Sequence, residues 1–400
     1  MQGESDTMQK HSRFLTISMM LVAANMRLPI TIMPSLIQSF KQNFNLPNSL
    51  AGMLTTIPLL TFAVMSPIIA KLARRFGNEH VIYAFLIILA IGSYLRVIPS
   101  SAALLAGTLL VGVGIDAGNV LIPAVIKDNF FSKISVATSE YTLSMLFIGA
   151  LGTGITGILI KKYPLAIVMG LLSVISLINL VTWVPNLKYN VREKAVTTPA
   201  ENKQFLHKSV WKLPLGWVAA AFFGLQALVY YSLLTWMPSL LISQGYSSVQ
   251  ANNMATLLQL GGLPFAYLVP TLALKKHGVA SMVAVTFVGF VGGTLGLTLP
   301  IHAVFWATLM NLLMGFGAGA SFNLAVVFFT TKTTNGFETA DLSGMAQSAG
   351  YLLAAVGPVL FGYLNNLVHS WTIVLLVAAI FATLLALSGV VMNQHKNIYE

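Results

Sequence analysis

One arginine in this chain has no ready access to water. Arg27 lies near the middle of an apolar stretch that runs from Phe14 to Phe40. A cation at the centre of a lipid bilayer costs roughly 2.5–3.5 kcal/mol on insertion scales, so it is expected to face a watery cavity or a partner. The guanidinium group forms a fork that suits small anions. Two interpretations stay open: Arg27 anchors an anionic or dipolar ligand, with Thr31 on the same helical face, or it is a buried structural cation.

Asp116 is the matching anion, since it is the only acidic residue deep in an apolar stretch of the sequence. It lies about 16 Å from the stretch end near Lys127, and Arg27 lies about 20 Å from its own stretch start. Asp116 could pair with Arg27 until a substrate competes, or it could carry a proton. A purely structural Arg–Asp pair is the third alternative. Asn119, three residues on, shares the face of Asp116.

The other candidate binding residues are neutral. They fall at helical spacing or stand alone in apolar surroundings, namely Tyr141 and Ser144, Gln226 and Tyr230, Gln347 and Tyr351, and Asn323. A buried amide without a partner costs several kcal/mol, so each should find a neighbouring helix or a cavity. Hydrogen bonding between helices is the competing interpretation for all of them.

Several chemistries are excluded by what the sequence lacks. Cysteine is absent, and the seven histidines fall at the ends of apolar stretches, in loops or at the termini. We therefore expect no catalytic residues, no metal site and no cofactor. No phosphate-binding Gly-Lys-Ser/Thr loop is present, which argues against a nucleotide-driven pump.

The composition indicates that the chain is solvated by lipid. It is 56% hydrophobic and 8% charged, whereas soluble domains carry about 25% charged residues. The net charge of +11 forms no free basic patch, so nucleic acid is not an expected partner. The expected partners are the lipid bilayer, a small-molecule substrate and protons, and we expect a monomer.

Twelve stretches are long enough to cross a membrane. They run over 14–40, 49–72, 80–98, 102–126, 139–160, 164–185, 212–241, 249–274, 279–300, 302–330, 343–366 and 370–392. The first is too long for a signal peptide, so we expect it to be retained. The predicted fold is an all-α membrane protein of two six-helix bundles, 14–185 and 212–392, joined by a polar linker, 186–211. Short tails, 1–13 and 393–400, flank the bundles.

The charged loops predict the orientation. Seventeen of the 22 Lys and Arg residues fall on the side of the N-terminus and four, Arg96 among them, on the other. Positive charge concentrates on the cytoplasmic side, so both termini are predicted to be cytoplasmic. We expect a multi-pass protein of the bacterial cytoplasmic membrane.

The two halves of the chain resemble each other. Pro34-Ser35-Leu36 recurs as Pro238-Ser239-Leu240, and Gly112 and Gly114 recur as Gly315 and Gly317. The offset stays at 203–204 residues, which indicates duplication of a six-helix unit. Parallel six-helix repeats are typical of one transporter architecture, with its substrate site between the halves.

These features resemble the major facilitator superfamily, and within it the cyanate and nitroimidazole transporters, over residues 14–392. The motifs that carry the resemblance are Asn25–Pro29, Ala51–Leu60, Ser66-Pro67, Leu72–Gly77, Gly118–Pro123, Gly224–Leu228 and Trp236–Pro238. The loop after the second span departs from the superfamily pattern. It has Arg74, Arg75 and Gly77 but lacks the acidic residue that the superfamily usually carries there. In the superfamily that residue helps to hold the loop against the second half of the protein, so this contact is in doubt here.

The resemblance implies secondary active transport of a small polar or anionic solute by alternating access, with proton coupling undecided. A drug/proton antiporter that exports small polar aromatic compounds is the alternative. A channel fits less well, because its filter would need rings of charges or carbonyls.

Overall fold

The computed structural model describes residues 2–33, 36, 39–40, 53–130, 133–160, 162–190 and 209–399. The described residues form helices and connecting turns, with no strands. In lipid every backbone N–H and C=O must be satisfied within the chain, and an α-helix achieves this within one segment. The predicted all-α fold is confirmed.

The first unit comprises residues 1–207 and 334–344. Its complete helices are α1 Gln2–Thr31, α2 Met53–Phe76, α3 Asn78–Leu95, α4 Ser101–Asn129, α5 Ile134–Leu159 and α6 Leu165–Trp183. A 3₁₀ turn, Val184–Tyr189, follows α6. The helix α1 begins twelve residues before the predicted start of the first span.

The second unit comprises residues 208–333 and 345–400. Its helices are α7 Pro214–Ser243, α8 Ser248–Leu260, α9 Leu263–Leu272, α10 Gly278–Phe287, α11 Gly293–Gly296, α12 Val304–Thr331, α13 Gly336–Val368 and α14 Trp371–Gln394. The first residues of α13, 336–344, are counted with the first unit. Most of the predicted linker, 191–208, lies outside the described residues.

Two predicted spans of the second unit are interrupted. Span eight breaks at Gly261-Gly262, just before Pro264, which lies in the first turn of α9 and has no N–H to continue the helical hydrogen bonds. A Cβ on Gly262 would lie 3.2 Å from the Cα of Gly319 in α12. Span nine contains a π-helical turn, Val288–Gly292, in which a Cβ on Gly289 would lie 2.5 Å from the backbone of Gly317. Glycine at both places permits close backbone approach between helices.

The repeated glycine pair makes the same contacts in both units. In the first unit, Gly112 packs against Pro58 of α2, and Gly114 packs against the backbone of Leu89 in α3. In the second, Gly315 packs against Gly261, which follows α8, and Gly317 packs against Gly289 and Phe290. The duplication inferred from the sequence therefore extends to helix packing.

Eleven of the described helical segments are long and apolar enough to cross a membrane. The predicted fifth span is also helical, within α5. The orientation of the termini stays a prediction.

Candidate functional site

Arg27 lies half-buried in α1 with its stem against α5. A Cβ on Gly149 would lie 2.6 Å from Arg27 Cγ, so only glycine leaves room for the arginine stem in this position. Thr31 reaches the same place, because its hydroxyl lies 3.2 Å from the carbonyl oxygens of both Arg27 and Gly149. Arg27 and Thr31 therefore lie on one side of α1, as predicted, and that side packs against α5.

Tyr141 and Ser144 project from α5 towards α1. The Tyr141 hydroxyl lies 3.7 Å from Met26 Sδ, and the Ser144 hydroxyl donates a hydrogen bond to the Met20 carbonyl at 2.7 Å. Met26 precedes Arg27, so the two α5 side chains line the segment of α1 that presents the arginine. Both contacts also hold α1 against α5, which is the competing structural interpretation.

Asp116 is fully buried in α4 and contacts Ser66 of α2. The Ser66 hydroxyl lies 3.0 Å from each carboxyl oxygen and 2.6 Å from the Phe62 carbonyl. A hydroxyl carries one proton. If Asp116 is ionised, Ser66 donates to it. If Asp116 is protonated, it donates to Ser66, and Ser66 donates to Phe62. The pair can therefore hold a proton without leaving its hydrogen bonds unmade.

The Asp116 carboxyl forms no ion pair with any described residue, and its described partner is Ser66. Asn119, one turn further along α4, is half-buried. The sequence identified Asp116 but missed Ser66, although Ser66-Pro67 was one of its motifs.

The predicted residues of the second unit lie on α7, α12 and α13. Gly224 and Gly350 bring α7 and α13 into close contact, since a Cβ on Gly224 would lie 2.9 Å from the Gly350 Cα. The predicted binding residues on these helices and on α12 are buried or half-buried. They are Gln226 and Tyr230 on α7, Asn323 on α12, and Gln347 and Tyr351 on α13.

The aromatic members of this set pack on other aromatic rings. Tyr351 packs edge-on against Phe223 at 5.1 Å, and Tyr230 against Tyr231 at 5.3 Å. Asn323 donates to the Gly319 carbonyl at 2.8 Å, and its Oδ1 has no described partner. For Asn323, the expected partner on a neighbouring helix is not found among the described residues.

Arg96 lies in the turn after α3, as the charge count assumed, but its side chain is buried. Only 2% of it is exposed, and it donates to the Pro29 carbonyl in α1 at 3.0 Å. A Cβ on Gly107 of α4 would lie 2.6 Å from Arg96 Cγ, so this glycine leaves room for the side chain. Arg96 falls inside the predicted third span, 80–98. That position was the signal in the sequence that its side chain could be buried.

An acidic partner for the loop after α2 comes from elsewhere in the chain. Arg74 Nε donates to Asp341 of α13 at 3.0 Å, and Nη2 contacts the same carboxylate. Asp128 of α4 accepts a hydrogen bond from Gly336 N, the first residue of α13, at 2.8 Å. A carboxylate at a helix N-terminus is favourable, because the first N–H groups lack partners within the helix. Within the first unit, Asp341 thus links the start of α13 to α2, and Asp128 links it to α4; both acids lie outside the loop.

No group of His, Cys, Asp or Glu residues suited to a metal ion occurs in the described part of the chain.

The family model described as the Major Facilitator Superfamily matches residues 15–358. The chain is 34% identical to the 2-nitroimidazole transporter of Escherichia coli (strain K12), over 97% of this chain and 98% of that protein. It is 25% identical to the cyanate transport protein CynX of the same organism, over 88% of this chain and 90% of that protein. These findings confirm the resemblance that the sequence motifs carried.

A solved Major Facilitator Superfamily transporter, FucP in the outward conformation, shares the fold. Its TM-score is 0.72 at 12% identity, over 96% of this chain and 98% of that chain. The family consists of transporters rather than enzymes, and the relatives are bacterial. The chain therefore belongs to the Major Facilitator Superfamily, as a multi-pass secondary transporter of small solutes in the bacterial inner membrane.

Proposed function

We propose that this chain moves a small polar or anionic solute by alternating access, as a monomer with both termini cytoplasmic, and that Arg27 anchors the solute. One observation carries the proposal. Arg27 is a half-buried cation in the described apolar part of α1, from Phe14 onwards, and Gly149 leaves space for its stem. Ionisable residues inside a membrane usually mark a solute pathway.

The names of the relatives suggest the class of solute. One is a 2-nitroimidazole transporter and the other a cyanate transport protein. A nitro group and a cyanate ion both present acceptors that a guanidinium fork can bind. The proposed substrate is therefore a small anion or a small polar aromatic compound with a strong dipole. Thr31, Asn119, Tyr141 and Ser144 in the first unit, with Gln226, Tyr230, Asn323, Gln347 and Tyr351 in the second, are the proposed further contacts.

Proton coupling is proposed for Asp116. Its support is full burial together with a hydroxyl partner that can hold either protonation state. A proton on Asp116 would change the net charge of α4 in the bilayer by one unit, which gives a transport cycle a driving step.

Export of small polar aromatic compounds in exchange for protons is the second candidate. The edge-on Tyr230–Tyr231 pair favours it, because aromatic rings stack on heterocycles. The second candidate fixes the direction of the solute as opposite to that of the proton, whereas the first does not specify a direction.

The test uses purified protein in proteoliposomes with cyanate and 2-nitroimidazole as solutes. Arg27→Ala is expected to weaken saturable uptake about 100-fold, because a hydrogen bond to a charged group contributes about 1.5–3 kcal/mol. Arg27→Lys should recover part of the loss. Tyr231→Phe, which keeps its ring contact with Tyr230, serves as the control. Normal uptake by a folded Arg27→Ala protein would overturn the anchor role.

A further inference from the structure

A proline interrupts α1 two residues beyond Arg27. Pro29 has no N–H, so the Asn25 carbonyl loses its partner within the helix. The helix then ends at Thr31, although the apolar stretch of the sequence continues to Phe40. A helix bends readily at such a proline, and a bend here would redirect the Arg27 side chain. A fixed direction for Arg27 therefore requires support from outside α1.

Arg96 supplies support from the turn after α3. Its Nη2 donates to the Pro29 carbonyl at 3.0 Å and contacts Met33 Sδ. The last carbonyls of a helix lack partners within it, and a cation is favourable at that end because the helix dipole is negative there. Gly107 of α4 leaves room for the arginine stem. Arg96 thus holds the C-terminal end of α1 at Pro29.

A second link reaches α1 on the N-terminal side of Pro29. Arg96 Nε and Asn25 Oδ1 are buried, and neither has a hydrogen-bond partner among the described residues. Both side chains line one cavity of about 10 Å³, which is the room that one water needs. A water there accepts from Arg96 Nε and donates to Asn25 Oδ1, so one molecule satisfies both atoms. Asn25 Nδ2 also donates to the Ile175 carbonyl of α6 at 3.2 Å.

Arg27 lies on the opposite side of α1 from these contacts. Successive residues of an α-helix are about 100° apart, so Arg27 lies about 160° around the helix from both Asn25 and Pro29. The contacts agree with this geometry. Asn25 and Pro29 contact α6 and the end of α3, whereas the Arg27 stem lies against Gly149 of α5. A clamp on the first side can therefore fix Arg27 without contacting the solute.

We propose that Arg96 is a positioning residue for Arg27. With Asn25 and one bridging water, it clamps α1 on both sides of Pro29 and so fixes the direction of the Arg27 guanidinium. This role rests on the proposed function of Arg27 as the solute anchor. The clamp itself lies within the first unit and forms without a solute. Preorganisation of this kind lowers the cost of ordering a binding group when the ligand arrives.

Hydrogen exchange in detergent tests the clamp without a solute. Arg96→Gln should speed the exchange of the backbone amides of residues 27–33 about tenfold, because this helix end opens more often without its outside partner. Arg75→Gln, at an exposed arginine, is the matched control and should leave that exchange unchanged. Equal exchange in the wild-type and Arg96→Gln proteins would overturn the clamp.

Uptake of cyanate into proteoliposomes tests the positioning role. Arg96→Gln should raise KM about tenfold and change the maximal rate less than about twofold, since a misdirected anchor weakens binding of the solute. In the Arg27→Lys protein, which lacks the guanidinium fork, Arg96→Gln should add less than about twofold to KM. A merely structural arginine would add its full effect in that background, and this result would refute the positioning role.

The two measurements separate the clamp from the anchor. Normal uptake by Arg27→Ala together with faster exchange in Arg96→Gln would refute the anchor while supporting the clamp. Faster exchange in Arg96→Gln with an unchanged KM would show that the clamp does not act on the solute, and the positioning role would then be wrong.

Asn25→Leu provides a second variant in case Arg96→Gln fails to fold. It removes the bridge from the α1 side and leaves Arg96 in place on Pro29. It should raise KM for cyanate about threefold, because a hydrogen bond through water is nearly as favourable as a direct one. Asn311→Leu, at a buried amide that bonds within its own helix, should leave KM unchanged. Equal KM values for the wild-type and Asn25→Leu proteins would contradict the bridge.

Discussion

The two units share their helix packing but differ in their buried charge. Each uses a Gly-x-Gly pair, 112 and 114 or 315 and 317, to bring its fourth helical span against its second and third. The buried Asp, Glu and Arg residues in the described part of the chain all belong to the first unit: Glu79, Arg96, Asp116 and Glu338. The described buried polar residues of the second unit are neutral amides and hydroxyls.

The repeat offset shows which residues replace the charges. At 203 residues, Ser66 and Asp116 correspond to Val269 and Gly319, and at 204 residues Arg27 corresponds to Tyr231. In the second unit Gly319 packs directly on Gly262, where a Cβ would lie 2.4 Å from the Gly262 Cα. A carboxylate could not occupy that contact. Both units therefore keep the same glycine packing, whereas the buried charged side chains of the described residues lie in the first unit.

The largest effect is expected at the shared packing. Gly114→Leu and Gly317→Leu should each lower the free energy of unfolding by about 3 kcal/mol, because a side chain there meets backbone atoms at 2.9 Å or less. Denaturation in detergent measures both. Gly170→Ala is the control, since a Cβ there meets nothing within 4 Å and alanine favours a helix. Loss of stability in one unit alone would break the equivalence of the two pairs.

Asp116→Asn tests whether the buried charge of the first unit couples transport to protons. One coupled proton gives about tenfold solute accumulation per pH unit, because one unit corresponds to about 1.36 kcal/mol. The variant should lose this response while keeping solute exchange. Glu140→Gln, a half-buried carboxyl on α5, should retain it. A gradient response unchanged in Asp116→Asn would remove Asp116 from the proton pathway.

A smaller effect is expected within the first unit, where Arg74 of α2 pairs with Asp341 at the start of α13. The Arg74 and Asp341 side chains are 32% and 22% exposed, so solvent screens their pairing. A double-mutant cycle with Arg74→Ala and Asp341→Ala should give a coupling free energy of about 0.5–1 kcal/mol, decreasing in high salt. Arg75, whose guanidinium lies 5.1 Å from the Phe76 ring centroid, should show no coupling to Asp341. An equal coupling for Arg75 would contradict the ion pair.

The smallest effect compares two buried amides. Asn25 donates to Leu21 and to Ile175 of α6, whereas Asn311 donates to Ala307 in its own helix. Asn25→Leu should cost about 0.6 kcal/mol, a typical value for a hydrogen bond between helices in a membrane. Asn311→Leu should be neutral, because the hydrogen bond that it removes lies within one helix and links no neighbouring helix. Thermal unfolding of both variants measures the two losses of stability. A larger loss for Asn311→Leu than for Asn25→Leu would contradict this prediction.

Much of the fold was predictable because lipid restricts the choice of structure. Length and hydropathy identified the helical spans, and the offset of 203–204 identified the duplication. The breaks at Gly261 and at Val288–Gly292 were not predicted. Pro264 accompanies the first break and lies within the span, but hydropathy does not register it, whereas Val288–Gly292 contains no proline.

The sequence by itself determined an all-α membrane chain of the Major Facilitator Superfamily, because a lipid-solvated chain must satisfy its backbone locally. It also identified Arg27 and Asp116, because a charge inside an apolar span is visible without coordinates. Only the tertiary structure paired Asp116 with Ser66, buried Arg96 against Pro29, and supplied Asp341 to Arg74. Those partners lie 50, 67 and 267 residues apart, and proximity at such separations is decided by packing rather than by spacing.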